Sequence, residues 1–138
     1  MTTEPRIAAP EPTRDSQPYW GALARHELMF QRCADCGTWR HYPRPVCTHC
    51  FSLRSEWQRA SGRGTLHSWT TIHHAYDSAL RGETPYLIGI ADMEESVRLA
   101  CRLVPPDGMS PSIGLPLRVG FTDQAGGFTL PVLHPAGG

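Results

Sequence analysis

The chain has 138 residues, 40% of them hydrophobic, which suits one ordinary domain or two small ones. Its 13 basic and 13 acidic residues cancel, and every basic residue is arginine. No apolar run approaches the roughly 20 residues that span a bilayer, and the N-terminus lacks the apolar core of a secretory signal, so a cytoplasmic location is expected.

Residues 1–17 are rich in Pro, Thr, Glu and Arg and read as a flexible arm. Residues 18–27 (PYWGALARHE) suit a short helix with Tyr19, Trp20 and Leu23 on one side, and 28–32 (LMFQR) a strand. The helix and a metal-organised module, which begins near residue 28, together occupy 18–58. Phe51, Leu53 and Trp57 are expected to pack beneath the metal cluster. Residues 59–138 change to strands and turns. Five candidate strands follow at 64–76, 86–93, 97–104, 115–121 and 128–133, the last two joined by TDQAGG, which is hairpin chemistry. The Pro- and Gly-rich stretch 105–114 is a loop. Five short strands without a helical period predict a mainly β chain ending in a five-stranded OB-fold barrel, with Gly114 and Gly120 supplying bends.

Cys33, Cys36, Cys47 and Cys50 form two C-x-x-C pairs separated by ten residues. Each pair can grip one tetrahedral ion from its own turn, and soft thiolates select zinc or iron over magnesium or calcium. In a reducing compartment such pairs favour metal over disulfide. Zinc is expected, with iron the alternative for the same ligands. Four protein ligands leave no position for a catalytic water, so the metal is expected to be structural. Gly37 follows Cys36, where a knuckle turn needs positive φ, while Phe51 stands at the equivalent place after Cys50.

The remaining candidates have plainer readings. Cys101 lies within an apolar strand and reads as a small buried hydrophobe, since no base adjoins it. Counting alternation, His67 and His73 share a strand face with Trp69, and His74 shares the other with Ile72 and Tyr76. A metal there would need a third ligand, so they read as surface residues. The stretch from His73 to Tyr86 is a candidate ligand-facing loop hinged at Gly82 and Pro85. Arg32, Arg40 and Arg44 read as solvated surface or as contacts for a phosphate or an acidic partner. No nucleophile elbow, P-loop, dinucleotide fingerprint or H-E-x-x-H occurs, and no catalytic residue is assigned.

Zinc ribbons and OB-folds both bind single-stranded nucleic acid, which makes such a module the alternative function. Charge argues against it. Residues 25–63 hold seven Arg and three acidic residues, but 64–138 hold four Arg and seven acidic residues. A backbone-tracking barrel groove needs the opposite sign.

The lead-in PYWGALARHELMFQRCADCG, the loop YPRPVCTHC, then Trp57 and SGRGTLHSWTTIHH resemble one bacterial and archaeal family. It pairs a rubredoxin-like zinc ribbon with an OB-fold and was long classed as a domain of unknown function. The likeness runs over about residues 18–135, through PYLIGIADMEESVRLACRLV and GLPLRVGF to LPVLHP. The resemblance implies a non-catalytic accessory subunit of a thiolase-superfamily enzyme (thiolase, acyltransferase or retro-aldolase) acting on acyl-CoA thioesters. It implies hetero-oligomers, no membrane, and support of the partner's stability or activity. Help in binding or passing on the CoA ester belongs to the same expectation; a separate reading is a CoA-ester carrier acting alone, with an arginine such as Arg40 or Arg44 taking a CoA phosphate. The 138 residues contain no hydratase domain, so the resemblance implies the separate-subunit form. Trp20, Trp39 and Tyr42 are the expected anchors for a partner.

Overall fold

The computed structural model describes residues 8–136; the first seven residues of the expected arm lie outside them. Thr13 and Ser16 exchange hydrogen bonds, the Thr13 amide donating to Ser16 Oγ at 2.8 Å and the Ser16 amide to the Thr13 carbonyl at 3.1 Å. That turn launches α1 (Gln17–Ala24), with Pro18 in the first turn where its missing N–H costs nothing. The helix stops three residues before the expected end. His26 takes a left-handed φ of 59°, and the amides of Arg25, His26 and Glu27 turn back onto the last carbonyls.

A three-stranded antiparallel sheet follows, built from β1 (Met29–Cys33), β2 (Trp39–Arg40) and β3 (Ser55–Arg59), in the order β2-β1-β3. Sequence pattern alone did not predict β2 or β3, because WR is too short and SEWQR too polar. Pairing with β1 makes them strands: Gln31 lies opposite Arg40 on one side and Trp57 on the other.

The expected barrel is present. Its strands are β4 (Arg63–Ile72), β5 (Tyr86–Met93), β6 (Arg98–Leu103), β7 (Pro116–Asp123) and β8 (Thr129–Pro135), closed in the order β4-β5-β6-β8-β7. All pairs are antiparallel except β6 with β8. This is the OB-fold of the sequence expectation. Alternate residues fill its interior, including Leu66, Ala91, Leu99, Leu103, Leu117 and Leu133. The same apolar cluster contains Tyr19 and Leu23 of α1 and Leu28 and Phe30 at the start of the ribbon. One core therefore binds helix, ribbon and barrel together.

The long first barrel strand ends at Ile72, earlier than expected, and carries a bulge. Leu66 pairs with Ala91 and Ser68 with Ile90, leaving His67 as the extra residue. The alternation counted from sequence breaks there, so His67 and Trp69 no longer follow one parity. His73 and His74 fall beyond the strand and are exposed. Of the glycines expected to bend the chain, Gly114 takes φ 85° before β7, while Gly120 lies mid-strand beneath the His134 ring.

Gly64 is the tightest position on the barrel wall. A Cβ there would stand 2.5 Å from the Asp92 carbonyl oxygen of the paired strand. Gly64→Ala should therefore force β4 and β5 apart and destabilise the chain by about 1–3 kcal/mol. Equilibrium denaturant unfolding measures this; a variant as stable as wild type would contradict the geometry.

Candidate metal centre and the barrel cleft

The four predicted cysteines converge. Cys33 ends β1, Cys36 closes the first knuckle, and Cys47 and Cys50 form the second. All four sulfurs lie within 4.8 Å of one another. Cys33 and Cys50 Sγ are 3.5 Å apart, and Cys36 and Cys47 Sγ are 3.6 Å apart. A tetrahedral ion with metal–sulfur bonds of about 2.3 Å sets sulfurs about 3.8 Å apart, whereas a disulfide brings them to about 2.0 Å. The arrangement fits a soft tetrahedral ion.

Backbone amides prepare two of the thiols, Cys33 and Cys47, for that role. The Cys36 amide donates to Cys33 Sγ at 3.4 Å, and the His49 amide to Cys47 Sγ at 3.4 Å. Hydrogen bonding from the Cys36 backbone is the largest influence that brings the Cys33 thiol down to about 6. Amides of Cys50 and His49 lower Cys47. Each favours the thiolate that a metal requires. Arg54 and Ser52 both donate to the Asp35 carboxylate, so the segment after the second knuckle is clamped to the first. The arginine hydrogen bonds, foremost, hold Asp35 down at about 2.

The other candidates separate. Arg40 is not a surface residue: it is only 6% exposed. Its Nε donates to Gln31 Oε1 at 3.1 Å, and the Arg44 amide donates to the same oxygen at 2.8 Å. Its two terminal nitrogens have no partner among the described residues. Arg44 is exposed, and Arg32 lies over the Trp39 ring at 5.0 Å. Trp57, expected beneath the metal cluster, packs against the apolar core shared with the barrel. Phe51 and Leu53 do not; they are 76% and 75% exposed.

A cleft of about 720 Å³ lies between α1, the Tyr42–Pro43 segment and the barrel face of β5, β6 and β8. Tyr19, Trp20, Tyr42, Tyr86, Cys101 and Arg102 are among its walls. The segment between His73 and Tyr86 contributes through a 3-10 turn at Ser78–Glu83, which places Leu80 and Glu83 at the rim. Arg102 stacks over Tyr86 at 4.1 Å and donates to Glu83 at 2.7 Å. Burial pushes the Cys101 thiol up to about 12, the reverse of what a nucleophile needs. Sequence reading missed this cleft because its walls come from three separate parts of the chain.

Two family descriptions match adjoining parts of the chain: "ChsH2, rubredoxin-like zinc ribbon domain" over residues 20–56, and "ChsH2, C-terminal OB-fold domain" over residues 57–122. The chain is 34% identical to a probable enoyl-CoA hydratase alpha subunit of Thermomonospora curvata, covering 96% of this chain and 42% of that protein. It is 36% identical to the 3-oxo-4,17-pregnadiene-20-carboxyl-CoA hydratase alpha subunit of Mycobacterium tuberculosis, covering 83% of this chain and 36% of that one. The chain thus spans about two fifths of these relatives' length. A DUF35 domain-containing scaffold protein of Methanothermobacter thermautotrophicus is 30% identical, with 65% of this chain and 68% of that one covered. Among solved structures, a chain of the Ltp2-ChsH2(DUF35) aldolase superposes with a TM-score of 0.83 at 34% identity. It covers 94% of this chain and 100% of its own. No helix among the described residues is long and apolar enough to cross a membrane.

His41 carries the pH dependence of this region. It packs among Tyr19, Phe30 and Tyr42, and burial brings its imidazole from 6.5 down to about 4. Between those values the unfolded chain binds a proton that the folded chain refuses. The contribution is complete above about pH 6.5 and is lost as pH falls towards 4. Between pH 7 and 4.5, wild type should lose about 2–3 kcal/mol more stability than His41→Phe. Parallel pH profiles of unfolding free energy would contradict the assignment.

Proposed function

Because this chain belongs to the ChsH2-type DUF35 family of rubredoxin-like zinc-ribbon and OB-fold proteins, we propose that it is a non-catalytic accessory subunit. Its partner in this reading is a thiolase-superfamily enzyme acting on acyl-CoA thioesters, and the chain sustains that enzyme's stability or activity. The single observation that carries this is the full-length match to the chain of the Ltp2-ChsH2(DUF35) aldolase, at 34% identity and a TM-score of 0.83. The scaffold naming of a 30%-identical archaeal relative supports it. So does the burial of Cys101, which pushes its thiol away from the thiolate a nucleophile needs. The cleft's aromatic and aliphatic walls suit contact with the acyl part of a thioester, with Arg102 held at the rim by Glu83. The cytoplasm, where thiols stay reduced, is the matching compartment.

In this reading Cys33, Cys36, Cys47 and Cys50 hold zinc. The ion would supply folding energy rather than chemistry, since four thiolates fill a tetrahedral shell. Cys33→Ser should lose the metal and melt the ribbon, with β1 losing its anchored end. Elemental analysis is expected to find about one equivalent of zinc in wild type; folded protein with less than about half an equivalent of any metal would contradict the linkage.

Co-expression with a thiolase-like protein encoded beside this chain should yield a co-purifying complex whose activity falls when this chain is omitted. A partner that elutes alone and is fully active without it would defeat the proposal.

A further inference from the structure

The two knuckles of the ribbon are built alike, yet one glycine is missing. In the first, the Gly37 amide donates to the Cys33 carbonyl at 3.0 Å, and Gly37 takes φ 78°. In the second, the Phe51 amide donates to the Cys47 carbonyl at 2.9 Å, and Phe51 takes φ 63°. A bulky side chain is disfavoured in the left-handed region, whereas glycine is not. Among the described residues, the two other non-glycines there, His26 and Ser96, have local reasons. His26 bonds Asp123 at 2.9 Å and stacks on Phe121; the amide of Ser96 closes the β5–β6 turn on the Met93 carbonyl at 2.9 Å. Phe51 has none. Its side chain is 76% exposed and lies outside the core cluster. An exposed aromatic held at a strained backbone position gains nothing inside the chain, so its gain lies outside it.

Two other apolar residues of the same segment are exposed as well: Leu53 is 75% exposed and Val46 36%. The charge of the segment that carries Phe51 selects the partner. Residues 25–63 carry seven Arg against three acidic residues, and among the described residues Arg32, Arg44 and Arg59 form no ion pair. We infer that Phe51 on the second knuckle anchors the ribbon in an apolar groove of the thiolase-like subunit, a groove rimmed by carboxylates. The inference rests on the accessory-subunit reading and assigns it a docking face.

Phe51→Gly separates docking from folding, because glycine suits φ 63°. The variant should keep its metal content and melt at or above the wild-type temperature. Its Kd for the co-expressed thiolase-like subunit should rise about tenfold or more. Phe51→Tyr should restore binding, and Arg44→Glu should weaken it most at low salt. If wild type forms the complex and Phe51→Gly binds equally well, the docking face is wrong and the accessory role stands. If wild type binds no thiolase-like subunit, the accessory role and this face fall together. A wild-type chain that self-associates, with Phe51→Gly monomeric, would assign the face to a second copy and overturn the inference.

Discussion

Phe30 is fully buried, and the fold depends on what it touches. It sits on β1, the middle strand of the ribbon sheet, yet belongs to the same apolar cluster as Leu66, Leu99 and Leu133 of the barrel and Leu23 of α1. A ribbon of some forty residues has too little apolar surface for a core of its own. Here it shares the barrel's. The consequence is directional: with Phe30 pointing inward, Gln31 and Arg32 follow by strand alternation, and Cys33 is delivered to the end of β1 where the sulfurs meet.

That arrangement also explains the unusual polar interior beside the metal centre. Gln31 Oε1 accepts from both the Arg40 side chain and the Arg44 backbone, so one buried amide holds β2 and the loop towards the second knuckle. Across the cluster, Asp35 binds Arg54 and Ser52 and secures the segment that follows Cys50. The knuckles are thus fixed from both sides without using the side chain of Phe51. The ribbon exposes apolar groups such as Phe51 and Leu53 and the arginines Arg44 and Arg59, while the barrel carries the acidic excess. Such a division gives the two parts of the chain surfaces of different chemistry.

Much of the fold was legible. The five barrel strands carry β-branched and aromatic residues between turn signals, and each appears within a few residues of its expected place. The cysteine spacing announced convergence, and the sulfurs do converge. The misses have specific causes. Strand β3 is nearly all polar and exists because β1 offers an open edge. The bulge at His67 adds one residue without a sequence mark, and parity counting fails beyond it. Arginine is usually exposed and phenylalanine usually buried; Arg40 and Phe51 reverse both rules.

The sequence by itself determined the donor set, the strand inventory and the charge asymmetry, because these depend on residue identity and short-range spacing. Only the tertiary structure decided which side chains face inward. Burial is set by strand pairing and shared core, which bring together residues far apart in the chain. The cleft shows this: Trp20, Tyr42 and Arg102 become neighbours through the packing of helix, ribbon and barrel, and no local pattern encodes that meeting.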